Sequence, residues 1–272
     1  MAALLEVRDL VAGYGSNQVL HGVSYDVAEG EVVTMVGLNG AGKSVSLRCV
    51  AGILRPWSGT VHLAGADITR LSPEARVHRG VATVPQGRGI FPHLTVEQNL
   101  RMGGYVLPRQ VYARRAAEVL ERFPRVKERL AQRAGTMSGG EQAMLAVARA
   151  LISKPRILLL DEPSAGLAPA VAKNMFELFR ELKAEGATIL LIEQNVGLAL
   201  HLADRAILMQ KGAIVREASP ASLGDRTALL EQLGAGALYH EESPKKAARP
   251  AATAARRKLG TGTRKPPAKA TA

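Results

Sequence analysis

The chain has 272 residues, 47% apolar and 22% charged, with 36 Lys and Arg against 24 Asp and Glu. That length and apolar share support a sizeable core and exclude a chain disordered throughout, while 4% aromatic residues leave little for a base-stacking surface. Cys49 is the only cysteine, so no intramolecular disulfide forms. No run of eighteen apolar residues occurs, and the start MAALLEVRDL lacks a signal-peptide pattern, so a protein of a reducing compartment is expected.

In chain order, Leu5 and Val7 alternate with Glu6 and Arg8, and Val23, Tyr25 and Val27 alternate with Ser24 and Asp26. This period of two predicts short antiparallel strands, broken at Gly13, Gly15 and Gly30. VVTMV at 32–36, ILLL at 157–160 and TILLI at 188–192 are continuously apolar, as expected of parallel strands covered on both faces. Between them, Tyr112, Ala116, Val119, Leu120 and Phe123 recur at helical spacing, and Val171, Met175, Leu178, Phe179 and Leu182 repeat it. AILM and AIV around Gln210, Lys211 and Gly212 predict a β-turn-β unit over 206–215. Strands alternating with helices define an α/β fold with a parallel sheet, plus a small antiparallel element near the start. Residues 241–272 hold nine basic and two acidic residues, a net +7, with Leu259 the only large aliphatic residue. This segment is read as a disordered tail, either simply solvated or in weak contact with anionic membrane or nucleic acid. Residues 1–240 then carry only +5 of the overall +12.

The first chemical motif is Gly37-Leu38-Asn39-Gly40-Ala41-Gly42-Lys43-Ser44, set between VVTMV and the helix-compatible LRCVAGIL. Strand, glycine-rich loop and helix are the context of a phosphate-binding P-loop. Glycines let successive backbone N–H groups face phosphate oxygens, and the helix N-terminus adds partial positive charge. Lys43 is placed to reach the β- and γ-phosphates, and the Ser44 hydroxyl to ligate Mg²⁺. The run at 157–160 ends in Asp161 and Glu162, at the carboxyl end of a strand, where open α/β sheets bind ligands. Asp161 suits a Mg²⁺ shell, and Glu162 is the candidate to polarise an attacking water. A third segment, Met137-Ser138-Gly139-Gly140-Glu141-Gln142, opens the apolar run AMLAVARALI with Ser138 and Glu141 spaced as a capping box.

Together these three ordered motifs resemble the ATP-binding cassette (ABC) ATPases, over roughly residues 4–235. The resemblance implies a P-loop NTPase, RecA-like parallel-sheet core with an N-terminal antiparallel β subdomain and an inserted helical subdomain at about 87–155, within an ATPase domain spanning 1–240. It implies ATP and Mg²⁺ as the bound groups and two cassettes meeting head to tail. Gly37 to Ser44 and Val45 of one cassette then hold the phosphates, while Ser138, Gly139 and Gly140 of the other contact the γ-phosphate. Tyr14, in Gly13-Tyr14-Gly15, matches the aromatic that stacks on adenine. Gln86, in Val84-Pro85-Gln86-Gly87, matches the glutamine that senses Mg²⁺ and the attacking water. Glu162-Pro163-Ser164-Ala165-Gly166-Leu167 matches the segment that crosses the dimer interface.

Three positions depart from the commonest pattern. Val45 follows Ser44 where a second hydroxyl is usual, Ala168 replaces an interface aspartate, and Gln194 stands where a histidine usually reaches the γ-phosphate. An amide there can donate a hydrogen bond but carries no imidazolium charge. These departures, with Gly87 to Pro92, Leu94 to Leu100, Asp161 to Pro169 and Ile192 to Asn195, resemble the LivF-type ATP-binding subunit of branched-chain amino-acid importers. That resemblance implies a second ATPase subunit in a heterodimer, two membrane permeases, a periplasmic-type solute-binding protein, a place on the cytoplasmic face of the inner membrane, and no specific nucleic acid. Urea and short-amide importers carry similar subunits, and a soluble ABC ATPase acting on nucleic acid is the rival of a different class. Cys49 is expected in the core, and Trp57 in a turn.

Overall fold

The computed structural model describes residues 3–223, so the basic segment 241–272 lies outside the described residues. The strands are β1 (Ala3–Tyr14), β2 (Asn17–Ala28), β3 (Val32–Val36), β4 (Ser58–Leu63), β5 (Ala66–Asp67), β6 (Val81–Val84), β7 (Ile157–Asp161), β8 (Thr188–Ile192), β9 (Arg205–Gln210) and β10 (Ala213–Ala218). The helices are α1 (Lys43–Val50), α2 (Pro73–His78), α3 (Val96–Gly103), α4 (Arg109–Arg122), α5 (Pro124–Lys127), α6 (Gly139–Ile152), α7 (Pro169–Ala184) and α8 (Val196–Leu202).

The strands form two sheets. An antiparallel sheet has the order β2-β1-β4-β5, and a six-stranded sheet has the order β10-β9-β3-β8-β7-β6. Within the second, β9, β3, β8, β7 and β6 run parallel and only the edge strand β10 is antiparallel. Every residue of β3, β7 and β8 is buried, which is why their sequences are continuously apolar rather than alternating. Because side chains alternate in direction along a strand, Leu158 and Leu160 pack with helices α3 to α8 on one face. Ile157 and Leu159 pack with α1, β1 and β2 on the other. Truncating one such leucine to alanine costs about 2–5 kcal/mol.

The N-terminal strands correct one expectation. β1 and β2 are each 12 residues long, not short, and Gly13 lies inside the pairing opposite Gln18. Bulges around Asp9 let the long ribbon twist over α1, so the clean alternation breaks up without ending the strand. Helix α4 begins just after Pro108, and Phe123 closes it as the C-cap. Helix α7 has Pro169 in its first turn and buries Met175, Phe176, Leu178, Phe179 and Leu182. The β-turn-β unit is β9 and β10, turning at Lys211 and Gly212. Cys49 is fully buried, and Trp57 sits just before β4, with its backbone N–H donating to Val11 O at 2.7 Å. Among the described residues, no helix is long and apolar enough to cross a membrane.

Candidate functional site

Four neighbouring parallel strands deliver the site at their carboxyl ends, the edge at which open α/β sheets bind ligands. β3 runs into the glycine-rich loop, β8 into Glu193 and Gln194, β7 into Asp161 and Glu162, and β6 into Pro85 and Gln86. The loop turns into α1 at Gly42, whose φ of 101° is open to glycine and strained for any side chain. A Cβ at that position would also sit 2.8 Å from a Leu20 methyl. Helix α1 has no side-chain N-cap, so its first N–H groups are left for a bound anion.

Around this loop lies a cleft of about 260 Å³ lined by Asn39, Gly40, Ala41, Gly42, Lys43, Ser44, Val45, Gln86, Glu162, Gln194 and Val19. Lys43 is buried, and its Nζ donates to Gly37 O at 2.7 Å and Leu38 O at 3.0 Å. Burial lowers its pKa, and the nearby carboxylates of Glu162 and Asp161 oppose that shift. The Ser44 hydroxyl donates to Asp161 Oδ1 at 2.8 Å. Burial raises the Asp161 pKa, while the Ser44 hydrogen bond pulls it back.

Glu162 is buried and adopts φ 50°, a left-handed backbone conformation uncommon for a residue with a side chain. Its backbone N–H donates to Ile192 O at 2.9 Å, continuing the ladder one residue beyond β7. One carboxylate oxygen, Oε2, accepts from Gln86 Nε2 and Gln194 Nε2, each at 2.8 Å. The sheet register explains this convergence. Val84 is opposite Leu160, and Asp161 is opposite Ile192, so Gln86 and Gln194 emerge on either side of Glu162.

Ser138, Gly139 and Gly140 do not line this cleft. They begin α6, where Ser138 caps the helix and Glu141 returns its carboxylate to the Ser138 N–H at 3.0 Å. That backbone hydrogen bond heads the causes that lower the Glu141 pKa. A Cβ at Gly139 would lie 2.9 Å from the Arg88 guanidinium, which donates to Gln142 Oε1 at 2.9 Å. Tyr14 ends β1 half exposed, and its hydroxyl accepts from Arg48 Nη1 at 2.8 Å. Val45 lines the cleft and packs into the core, and Ala168 caps α7 without any side-chain hydrogen bond.

Two residues here were not singled out as site residues from the sequence. Val19 reaches the cleft from β2, which only the tertiary fold brings over the loop. Glu193 is buried with three backbone N–H groups on its carboxylate. Its sequence signals were an acid directly after the buried run TILLI and its place in the segment Ile192 to Asn195, neither of which gave it a role.

A glycine-rich loop that joins a buried parallel strand to a helix, with a buried lysine, beside a hydroxyl–carboxylate pair and a glutamate held by two amides, is the arrangement of a P-loop nucleotide-hydrolysing enzyme. The family described as ABC transporter matches residues 20–165, and the chain belongs to that family as an ATP-binding, ATP-hydrolysing subunit. It is 49% identical over 210 residues to the high-affinity branched-chain amino acid transport ATP-binding protein BraG of Pseudomonas aeruginosa, covering 77% of this chain and 90% of that one. It is 39% identical over 212 residues to the probable branched-chain amino acid transport ATP-binding protein LivF of Archaeoglobus fulgidus, covering 78% and 90%. Among solved structures, an ATP-binding cassette of an ABC transporter in its ADP conformation superposes with TM-score 0.75 at 28% identity. That match covers 86% of this chain and all of the other. Membership of an ABC transporter family implies membrane permease partners.

Proposed function

We propose that this chain hydrolyses ATP to energise uptake of branched-chain amino acids through an importer of the inner membrane. Its 49% identity to BraG across 90% of that protein is the observation that carries the solute class. In this reading residues 1–240 are the ATPase domain, with a helical part at about 87–155, and 241–272 are a basic appendage. The chain sits peripherally on the cytoplasmic face. It pairs with a second, different ATPase subunit and docks on two permeases, which receive solute from a periplasmic-type binding protein.

The residues divide the work of ATP hydrolysis, which needs positioning and charge stabilisation more than covalent chemistry. The loop N–H groups from Asn39 to Ser44 and the Lys43 ammonium hold the phosphates. Tyr14 offers its exposed ring to the adenine. Ser44 and Asp161 already lie within hydrogen-bonding distance of each other, and with the Gln86 carbonyl they form an all-oxygen donor set that fits Mg²⁺. The ion, when bound with ATP, would neutralise charge building on the β- and γ-phosphate oxygens. Glu162 accepts a hydrogen bond from the attacking water and aligns it, while the Gln86 and Gln194 amides fix the carboxylate that does so. Ser138, Gly139 and Gly140 belong to the opposite face of an ATP sandwich, completed by the second subunit's loop. Closure on ATP and reopening after phosphate release supply the motion passed to the permease.

The test is uptake by proteoliposomes containing the complete importer, with Mg-ATP inside and radiolabelled solute outside. The reading predicts ATP-dependent accumulation of leucine, isoleucine and valine and none of urea. Accumulation of urea or a short amide without leucine would assign the chain to the other importer class.

A further inference from the structure

Glu193 is 3% exposed and does not line the P-loop cleft. Its Oε1 accepts from the Ser164 backbone N–H at 2.9 Å, and its Oε2 accepts from the N–H groups of Gln194 at 2.9 Å and Asn195 at 3.2 Å. These donors come from two loops, one following β7 and one following β8. Both loops also meet at the catalytic carboxylate, since Gln194 Nε2 donates to Glu162 Oε2. A closed ring results: Glu162 to Gln194 through side chains, Gln194 to Ser164 through the Glu193 carboxylate, and Ser164 back to Glu162 through Pro163. Removing this buried carboxylate would leave three backbone N–H donors without their acceptor.

We propose that Glu193 is a positioning residue for ATP hydrolysis. Its carboxylate staples the segment that begins Glu162-Pro163-Ser164 to the Gln194 turn, and so holds the Gln194 amide on Glu162. The inference rests on Glu162-dependent hydrolysis as described above. Because the segment after Glu162 leads to the exposed residues Ala165 and Gly166, any displacement of that segment also reaches the Glu162–Gln194 contact through Glu193.

A double-mutant cycle in the complete importer tests this, using the full-length chain with Glu193→Ala, Gln194→Ala and both together. The expected result is a fall in kcat of about tenfold for Glu193→Ala, with the KM for ATP held within about twofold. In the Gln194→Ala background the same substitution should change kcat by no more than about twofold, because its target is already gone. Glu193→Gln keeps one acceptor oxygen and the side-chain volume, and should recover part of the lost kcat. Backbone hydrogen exchange of the full-length chain reads the staple without turnover. The Ser164, Gln194 and Asn195 amides should exchange at least about tenfold faster in Glu193→Ala and be less affected in Glu193→Gln, while Leu190 and Leu191 stay slow. Equal losses of kcat in both backgrounds, or unchanged exchange at Ser164 and Gln194, would overturn the proposal. Glu162→Gln is measured in parallel. Undiminished turnover in that variant would remove Glu162 as the residue that aligns the attacking water, on which this inference rests, whereas Glu162-dependent turnover with an additive cycle sinks only the role of Glu193.

Discussion

Gln194 Nε2 donates to Glu162 Oε2 at 2.8 Å, the same oxygen that Gln86 reaches from the opposite side. The glutamate is thus oriented by two neutral amides, one from each neighbouring strand, rather than by a titrating ring. The kcat of the parent chain should show no pH step near 6.5 from this position, and Gln194→His should introduce one. Gln194→Ala should lower kcat by about tenfold and leave the KM for ATP nearly unchanged. Steady-state ATPase profiles between pH 5.5 and 8 check both. A His variant with a profile superimposable on the parent's would contradict this account of residue 194.

Arg76 is buried to 1% exposure and donates to four backbone carbonyls: Leu71 O, Cys49 O, Val50 O and Thr69 O. Two of these acceptors close the last turn of α1, so the guanidinium anchors the far end of the helix that follows the glycine-rich loop. Burial lowers its pKa, the expected direction for a cation taken out of water. Arg76→Ala strands those carbonyls and opens a cavity, which should cost about 3–5 kcal/mol in denaturant unfolding. A loss below about 0.5 kcal/mol would show that the anchor is dispensable.

Helix α7 starts at Ala168, whose extended backbone (φ −61°, ψ 145°) suits a cap that its methyl cannot supply. The first turn also contains no acidic residue. Ala168→Asp adds both an acceptor for the free N–H groups and a favourable charge at the helix N-terminus, and should stabilise the chain by about 0.5–2 kcal/mol. Thermal unfolding should rise by about 2–4 °C for each kcal/mol gained. An unchanged or lower Tm would contradict the geometry given for this cap.

Burial pushes the Cys49 thiol up from 9.0 to about 12. The unfolded chain releases this proton more readily than the folded one. The contribution of Cys49 to stability is therefore complete below pH 9 and is lost as pH rises from 9 towards about 12. Cys49→Ala should flatten the decline of stability with pH in that window. A thiol reagent at pH 8 should label the chain in denaturant and leave the native chain untouched. Rapid native labelling would place Cys49 outside the core.

The strands that carry chemistry were legible because burial on both faces leaves a continuous apolar run: 32–36 and 188–192 match the observed limits, and 157–160 falls one residue short. β6 escaped because VATV is four residues long and its neighbours suggest nothing stronger. The reach of β1 and β2 was hidden by bulges that interrupt their alternation. Helix α3 is marked by a Thr95–Gln98 capping box, yet its eight residues were too few for periodicity to register. Within the site, Lys43, Ser44, Asp161 and Glu162 stand in motifs whose spacing carries their meaning. The convergence of Gln86 and Gln194 on one oxygen, and the Glu193 staple beneath, depend on the register of three strands far apart in sequence, which no local pattern encodes.

Replacing the carboxylate of Glu162 with an amide of the same shape tests the central claim most directly. Glu162→Gln in the assembled importer should bind ATP within about threefold of the parent and lose turnover by about a hundredfold or more, since the water loses its acceptor while the phosphate loop is intact. ATP hydrolysis at the parent's rate in that variant would contradict Glu162 as the residue that polarises the attacking water.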